Sequence, residues 1–200
     1  MLHAAAQDEW RDRGSFLGVL ELCRLALDAK QSLPVGVDYA NLVTNYVERF
    51  ASKLTCFDDI RPHLAALRKT PDVPHQPLTS ETSITQRINA EKIALFFEQG
   101  ASADDLLQAY IESLEHVHEP STEMQPGDDL ALLAAYVTLG KSSSVENLIQ
   151  AAAIASYACE KSARAYKLRL LLIRLLLRLG CLAIAVDEFD GLRLMAVLRE

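Results

Sequence analysis

Hydrophobic positions recur at three- and four-residue intervals along most of the chain, a spacing that predicts amphipathic helices rather than strands. A first helix is expected over about 4–29, with Gly14 as its one break point. Pro34 and Gly36 make a turn, after which Asp38 caps a helix reaching about Lys53. Asp58 is placed to cap a short third helix ending near Arg68, with Pro62 in its first turn, where a missing amide matters least. Ser83 and Gln86 have capping-box spacing at the head of a helix that runs to Gln99 and stops at Gly100. Ser102 caps the next, with Asp104 and Asp105 at the positive end of its dipole. Beyond it, Asp129–Leu139 forms a helix that Gly140 ends in a left-handed cap. Ser143 and Glu146 open a helix to about Cys159, Ser162 or Ala163 starts another that Gly180 ends after Leu179, and a last helix covers about Leu182–Leu192.

Two proline-rich stretches interrupt this pattern. Residues 70–79 hold Pro71, Pro74 and Pro77, and residues 119–128 hold Pro120, Pro126 and Gly127. Proline lacks the backbone donor and disfavours helix in the residue before it, so neither stretch continues a helix. Three helical blocks result, at about 4–69, 80–118 and 129–193, read as one helical-repeat segment over 1–200 with loops inside it. The expected fold is all-α: stacked antiparallel helical hairpins in a TPR-like α-solenoid with degenerate repeats.

Composition agrees. Half of the residues are hydrophobic but only 6% are aromatic, with Leu and Ala dominant, and eight Gly and seven Pro provide little turn chemistry for a many-stranded sheet. The net charge of −7 makes the whole chain a poor match to DNA. Its charges are unevenly distributed. Between Ile93 and Gly140 there are nine acids and no Lys or Arg, whereas Lys161–Arg178 holds six bases and no acid. Such blocks are read either as solvated helix faces or as docking surfaces for different partners. The four cysteines, Cys23, Cys56, Cys159 and Cys181, are widely separated and read as buried thiols of a reducing compartment, the cytoplasm. The N-terminus lacks the basic start and apolar core of a signal peptide. The most apolar stretch, Leu168–Val186, contains Arg169, Arg174 and Arg178, which argues against a membrane span.

The last two helices fit part of the tetratricopeptide pattern, with Leu172, Gly180, Ala185 and Phe189 at matching relative positions. Glycine allows the tight reversal, alanine the close approach of two helices, and the aromatic fills the space toward a following repeat. Arg169 stands at the pattern's Trp position and Val197 at its terminal Pro. Arg164, Lys167, Leu171, Arg174 and Arg178 are spaced three, four, three and four apart and share one helix face. That basic stripe is read as a solvated edge whose long stems cover apolar surface, or as a contact strip for an acidic partner or ribosomal RNA phosphates.

Catalytic patterns are weak. Gly140-Lys141-Ser142 ends like a phosphate-binding loop, but Ala135 takes the place of the first glycine and a helix precedes it. His116 and His118 are two residues apart and diverge on a helix instead of converging on a metal. Arg11–Phe16 comes nearest to an acetyl-CoA pyrophosphate loop, but Phe16 occupies the position that must be small. No catalytic residue, metal site or cofactor is assigned.

Several segments together resemble the non-catalytic auxiliary subunit of the NatB N-terminal acetyltransferase complex. They are Arg13-Gly-Ser-Phe-Leu-Gly-Val-Leu-Glu21, Tyr46-Val-Glu-Arg-Phe50, Cys56-Phe-Asp-Asp-Ile-Arg-Pro-His-Leu64 and Asp128-Asp-Leu-Ala-Leu-Leu-Ala134. The most specific is Tyr166-Lys-Leu-Arg-Leu-Leu-Leu-Ile-Arg-Leu-Leu-Leu-Arg-Leu-Gly180, followed by Ala185 and Phe189. The resemblance implies a tetratricopeptide-type solenoid that holds a catalytic subunit and brings it to the ribosome. The complex would acetylate chains beginning Met-Asp, Met-Glu, Met-Asn or Met-Gln, with acetyl-CoA bound by the other subunit. Met195 stands where that family usually has Lys, and family members are longer, so the chain is expected to be a fragment, a truncated product or a short paralogue. Two other readings stay open: a different helical-repeat adaptor, such as a NatA-type auxiliary subunit or a trafficking scaffold, and an all-α enzyme using Asp104-Asp105 or Asp128-Asp129.

Overall fold

The structure is a computed structural model that describes residues 12–67, 83–115, 125, 127–141, 144–162 and 164–192. Most of both proline-rich stretches, His116, His118, Ser143, Ala163 and Met195 lie outside the described residues. Among the described residues all regular structure is helical: α1 Arg13–Asp28, α2 Tyr39–Phe50, α3 Cys56–Leu67, α4 Ile84–Phe96, α5 Ala103–Glu115, α6 Asp128–Lys141, α7 Val145–Lys161, α8 Tyr166–Arg178 and α9 Leu182–Gly191. Residues up to Gly100 form one compact unit and those from Ala101 a second. Neighbouring helices pack in sequence order, as in an α-solenoid: in the first unit α1, α2 and α3 pack on one another and α4 on α3, and in the second each of α5 to α9 packs on the next.

Each helix of the first unit buries one stripe. Phe16, Leu20 and Cys23 of α1, Tyr39, Val43, Tyr46 and Val47 of α2, and Cys56, Ile60, Leu64 and Leu67 of α3 form a single core with Ile93 of α4. Their spacings of three and four are those of one helical face. The Phe16 ring meets Tyr46 edge-on at 5.6 Å and Phe50 at 6.3 Å. At the rim, Arg13 Nε donates to Tyr46 Oη at 3.1 Å and to Asp59 Oδ2 at 3.0 Å, and its Nη2 donates to Thr55 Oγ1 at 2.5 Å. Tyr46 Oη donates to the same Asp59 oxygen at 2.7 Å. Burial and the adjoining Asp59 raise the Tyr46 phenol above its ordinary range, so it stays a neutral donor. Three segments far apart in sequence thus meet at one carboxylate.

Two further buried polar groups hold this unit. Asn89 of α4 is 1% exposed. Its amide nitrogen donates to Ala51 O at 2.7 Å and Lys53 O at 2.8 Å, past the end of α2, and its oxygen accepts from Phe57 N at 3.3 Å, in the first turn of α3. One side chain so satisfies the end of one helix and the start of the next. His63 is buried against Tyr39, with Oη and Nδ1 2.7 Å apart. Burial lowers the His63 pKa.

The second unit packs more closely. The neighbouring α6 and α7 are alanine-rich inside: α6 buries Ala131, Ala134 and Ala135, and α7 buries Ala151, Ala152, Ala155 and Ala158. Side chains this small favour the short end of the 8–10 Å range of helix separations. In α8 the buried side is leucine-rich, and α9 buries only Ala185.

Several boundaries differ from expectation. Helix α3 begins at Cys56, so Pro62 falls inside it and not in its first turn. Ser144, not Ser143, caps α7, accepting from Asn147 N at 3.2 Å. Gly140 lies within α6 and is not a left-handed cap, and Gly14 lies within α1 without breaking it. Left-handed residues close α1 at Lys30 (φ 56°), α4 at Glu98 (φ 62°) and α8 at Gly180 (φ 79°). At each, the next amide bonds back six-to-one: Gln31 N to Ala26 O, Gln99 N to Ala94 O and Cys181 N to Leu176 O. The double bond network offsets the steric cost of Lys30 and Glu98, so glycine is not required. Gly100 is instead needed for close approach, since a Cβ there would collide with the Leu95 side chain. The Ser83–Gln86 capping box is present with both bonds, and Asp38 caps α2 through Asn41 N.

Three outcomes follow. Asn89→Leu strands Phe57 N and two carbonyls and is expected to destabilise the chain by about 2 kcal/mol or more in urea titrations. Ala155→Leu forces a branched side chain into a fully buried site and is expected to cost about 2–3 kcal/mol by the same measurement. Because the folded His63 pKa lies below its ordinary 6.5, the unfolded chain takes up that proton first as pH falls. Its contribution is therefore intact above the unfolded pKa and is lost as pH falls from 6.5 toward the folded value. The drop in Tm between pH 7.5 and pH 5.5 should be smaller in His63→Gln than in the parent, relative to each protein's own neutral-pH Tm.

Candidate interaction surface

The inward side of α8 carries Leu168, Leu171, Leu172, Ile173, Leu175 and Leu176. Its outward side carries Lys167, Arg174 and Arg178, which at about 100° per residue lie within about 40° of one another. Beside them stand Tyr166, Leu170 and Leu177, each about half exposed. Leu171, the apolar member of the sequence-derived stripe, is buried and marks its inner edge. Arg164 is exposed, but α8 starts only at Tyr166, so Arg164 sits in the preceding turn and not on the helical line.

Lys167 Nζ lies 3.3 Å from Asp129 Oδ1 of α6, but the lysine is 62% exposed, so water screens the pair and it contributes little stability. Arg174 and Arg178 have no ion pair among the described residues. The face is therefore a half-apolar strip with cations along one edge.

Leu172 is buried, Gly180 takes φ 79° in the α8–α9 turn, and Ala185 is 2% exposed. Phe189 is 42% exposed on α9, as are Leu182 at 63%, Ile184 at 54% and Val186 at 49%. Sequence reasoning missed the role of Arg169. From α8 its Nη1 donates to Gly191 O at 3.3 Å, at the end of α9, and its Nε lies 3.5 Å from Glu188. A Cβ on Gly191 would stand 3.0 Å from that guanidinium nitrogen. The signal was the departure itself: an arginine at the repeat's Trp position makes a polar link to the neighbouring helix.

The acidic pairs are engaged at helix starts. Ser102 Oγ accepts from Asp105 N at 3.2 Å while Asp105 Oδ2 accepts from Ser102 Oγ at 2.7 Å, and these bonds lower the Asp105 pKa. Asp128 is buried; its Oδ2 accepts from Ser162 Oγ at 2.7 Å and from Gln125 N at 3.2 Å, and burial raises its pKa. A depression lined by Asp128, Asp129, Leu132, Ala165, Lys167 and Leu168 encloses about 10 Å³, room for about one water molecule. In the stretch compared with an acetyl-CoA loop, Gly14 is helical and Phe16 is core. All four cysteines are free, three of them buried; burial and the nearby Asp59 charge push the Cys56 thiol up to about 12, far from a reactive thiolate. No described helix is long and apolar enough to cross a membrane.

Comparison with curated proteins returned no match. A profile of the family described as the N-acetyltransferase B complex (NatB) non catalytic subunit matches residues 2–197, nearly the whole chain. The landmarks joined at Asp59 and the leucine-rich α8 both fall within that span. The chain belongs to the family of non-catalytic NatB subunits and is not the enzyme of that complex.

Proposed function

We propose that this chain is a scaffold segment that holds the catalytic acetyltransferase subunit and brings it to the ribosome in the cytoplasm. There the complex acetylates nascent chains beginning Met-Asp, Met-Glu, Met-Asn or Met-Gln, and the acetyl-CoA is bound by the partner subunit. Family membership over residues 2–197 is the observation that carries this reading. The exposed face of α8 supports it: half-buried leucines offer area to a protein partner, and Arg174 and Arg178 offer charge to an acidic surface or to phosphates.

Co-expression with a NatB catalytic subunit tests it. The two chains are expected to co-purify through size exclusion, and the pair to sediment with ribosomes at low salt but not at high salt. Arg174→Glu with Arg178→Glu, both exposed, should leave the circular dichroism spectrum unchanged and weaken ribosome or subunit capture by roughly tenfold. Failure of the parent chain to capture the catalytic subunit would remove the proposed function.

A further inference from the structure

Among the described residues of the second unit, three polar atoms are buried without a protein partner: Tyr110 Oη of α5, Gln125 Oε1 before α6, and Asp128 Oδ1 in the first turn of α6. Tyr110 is fully buried, and Gln125 and Asp128 are each 6% exposed. Orphaned groups this deep are rare in folded proteins, because each has given up its hydration with nothing in return. Here Gln125 and Asp128 flank Gly127 at the start of α6, and the Tyr110 ring of α5 lies beside that glycine. Asp128 Oδ2 takes the Gln125 amide at 3.2 Å, which folds residue 125 back over the start of α6. Gly127, between them, lies directly against α5: a Cβ there would collide with Ser113 Oγ and stand 3.5 Å from the Tyr110 ring. Burial is the first cause and the Asp128 charge the second of the raised Tyr110 pKa, so hydroxyl and carboxylate sense each other without touching.

The donor and acceptor inventory specifies what fits. Asp128 Oδ1 and Gln125 Oε1 only accept, whereas Tyr110 Oη also donates. Two acceptors and one donor are the complement of a water molecule, which gives two hydrogens and receives one. We propose that Tyr110, Gln125 and Asp128 hold one internal water that links α5 to the start of α6. Ser162, which donates to the other oxygen of Asp128 at 2.7 Å, extends the link to the end of α7. Internal waters with about three protein bonds are a regular component of domains this size. The inference is independent of the partner reading above.

Thermal unfolding of the full chain tests it. Tyr110→Phe keeps the ring in place and deletes only the hydroxyl. If the water is present, this variant loses one of its anchors and Tm falls by roughly 3–6 °C. Asp128→Asn is expected to lower Tm as well, and the double variant to lose less than the sum, since both act on one water. In the parent, slowly exchanging water should give NMR cross-peaks to the amides of Gln125 and of residues 127–130. An unchanged or raised Tm in Tyr110→Phe would overturn the proposal, because deleting an orphan hydroxyl from a dry core is neutral or stabilising. Replacing sodium and potassium by tetramethylammonium at equal ionic strength should leave Tm unchanged. A specific loss of stability there, absent in Asp128→Asn, would overturn the water in favour of a bound cation.

Discussion

An α-helix leaves its first four amides and last four carbonyls without partners inside the helix, and a chain built of short helices meets this constraint every dozen residues or so. Water satisfies such groups at a surface; within a stack, a neighbouring element must. The structure answers partly with local caps such as Asp38, Ser83 and Ser144, and partly with side chains borrowed from other helices. Asn89 serves the end of α2 and the start of α3 from α4. Arg169 reaches from α8 to the Gly191 carbonyl at the end of α9, while Ser162 at the end of α7 ties the Asp128 side chain that folds over the head of α6. Each contact does two jobs, since satisfying an end also sets the register between two helices. Burial of leucine and alanine supplies the bulk of the driving force but has little directionality; these polar contacts choose one arrangement among many of similar burial.

The existence and type of the helices were legible because a strong three-four pattern reports local geometry that neighbours do not overturn. Caps that depend on one side chain and an amide three residues on, such as Ser83 with Gln86 and Asp38 with Asn41, were legible for the same reason. Helix ends were less so. Glycine suggested stops at Gly100 and Gly140, yet α6 runs through Gly140, and Glu98 closes α4 because the backbone bonds of its closing turn outweigh the side-chain preference at a single residue. The long-range polar links could not be found by spacing. Nothing in the sequence relates Asn89 to Phe57, or Arg13 to Asp59, until the fold brings them together.

The same division explains the family landmarks. Arg13, Tyr46 and Asp59, from three separate matching segments, converge on one carboxylate, and Phe16, Phe50, Cys56 and Leu64 pack beneath them. These residues shape the core of this chain, so they say little about what the molecule touches. The outward side of α8 does the reverse: Lys167, Arg174 and Arg178 contribute little to the core and carry the chemistry available to another molecule. Buried landmarks and exposed cations thus lie on different helices of the chain.

The buried alanines of α6 and α7 extend this separation. In a packed interior that leaves room only for a methyl group, almost any larger side chain pushes its neighbours apart, so these positions admit very few alternatives. The outer positions of α7 and α8 face no such restriction and can exchange one residue for another freely. A molecule of this construction is free to acquire a new binding specificity by changing its outer skin while its geometry stays the same, and two descendants of one ancestor could diverge in partners long before they diverged in shape.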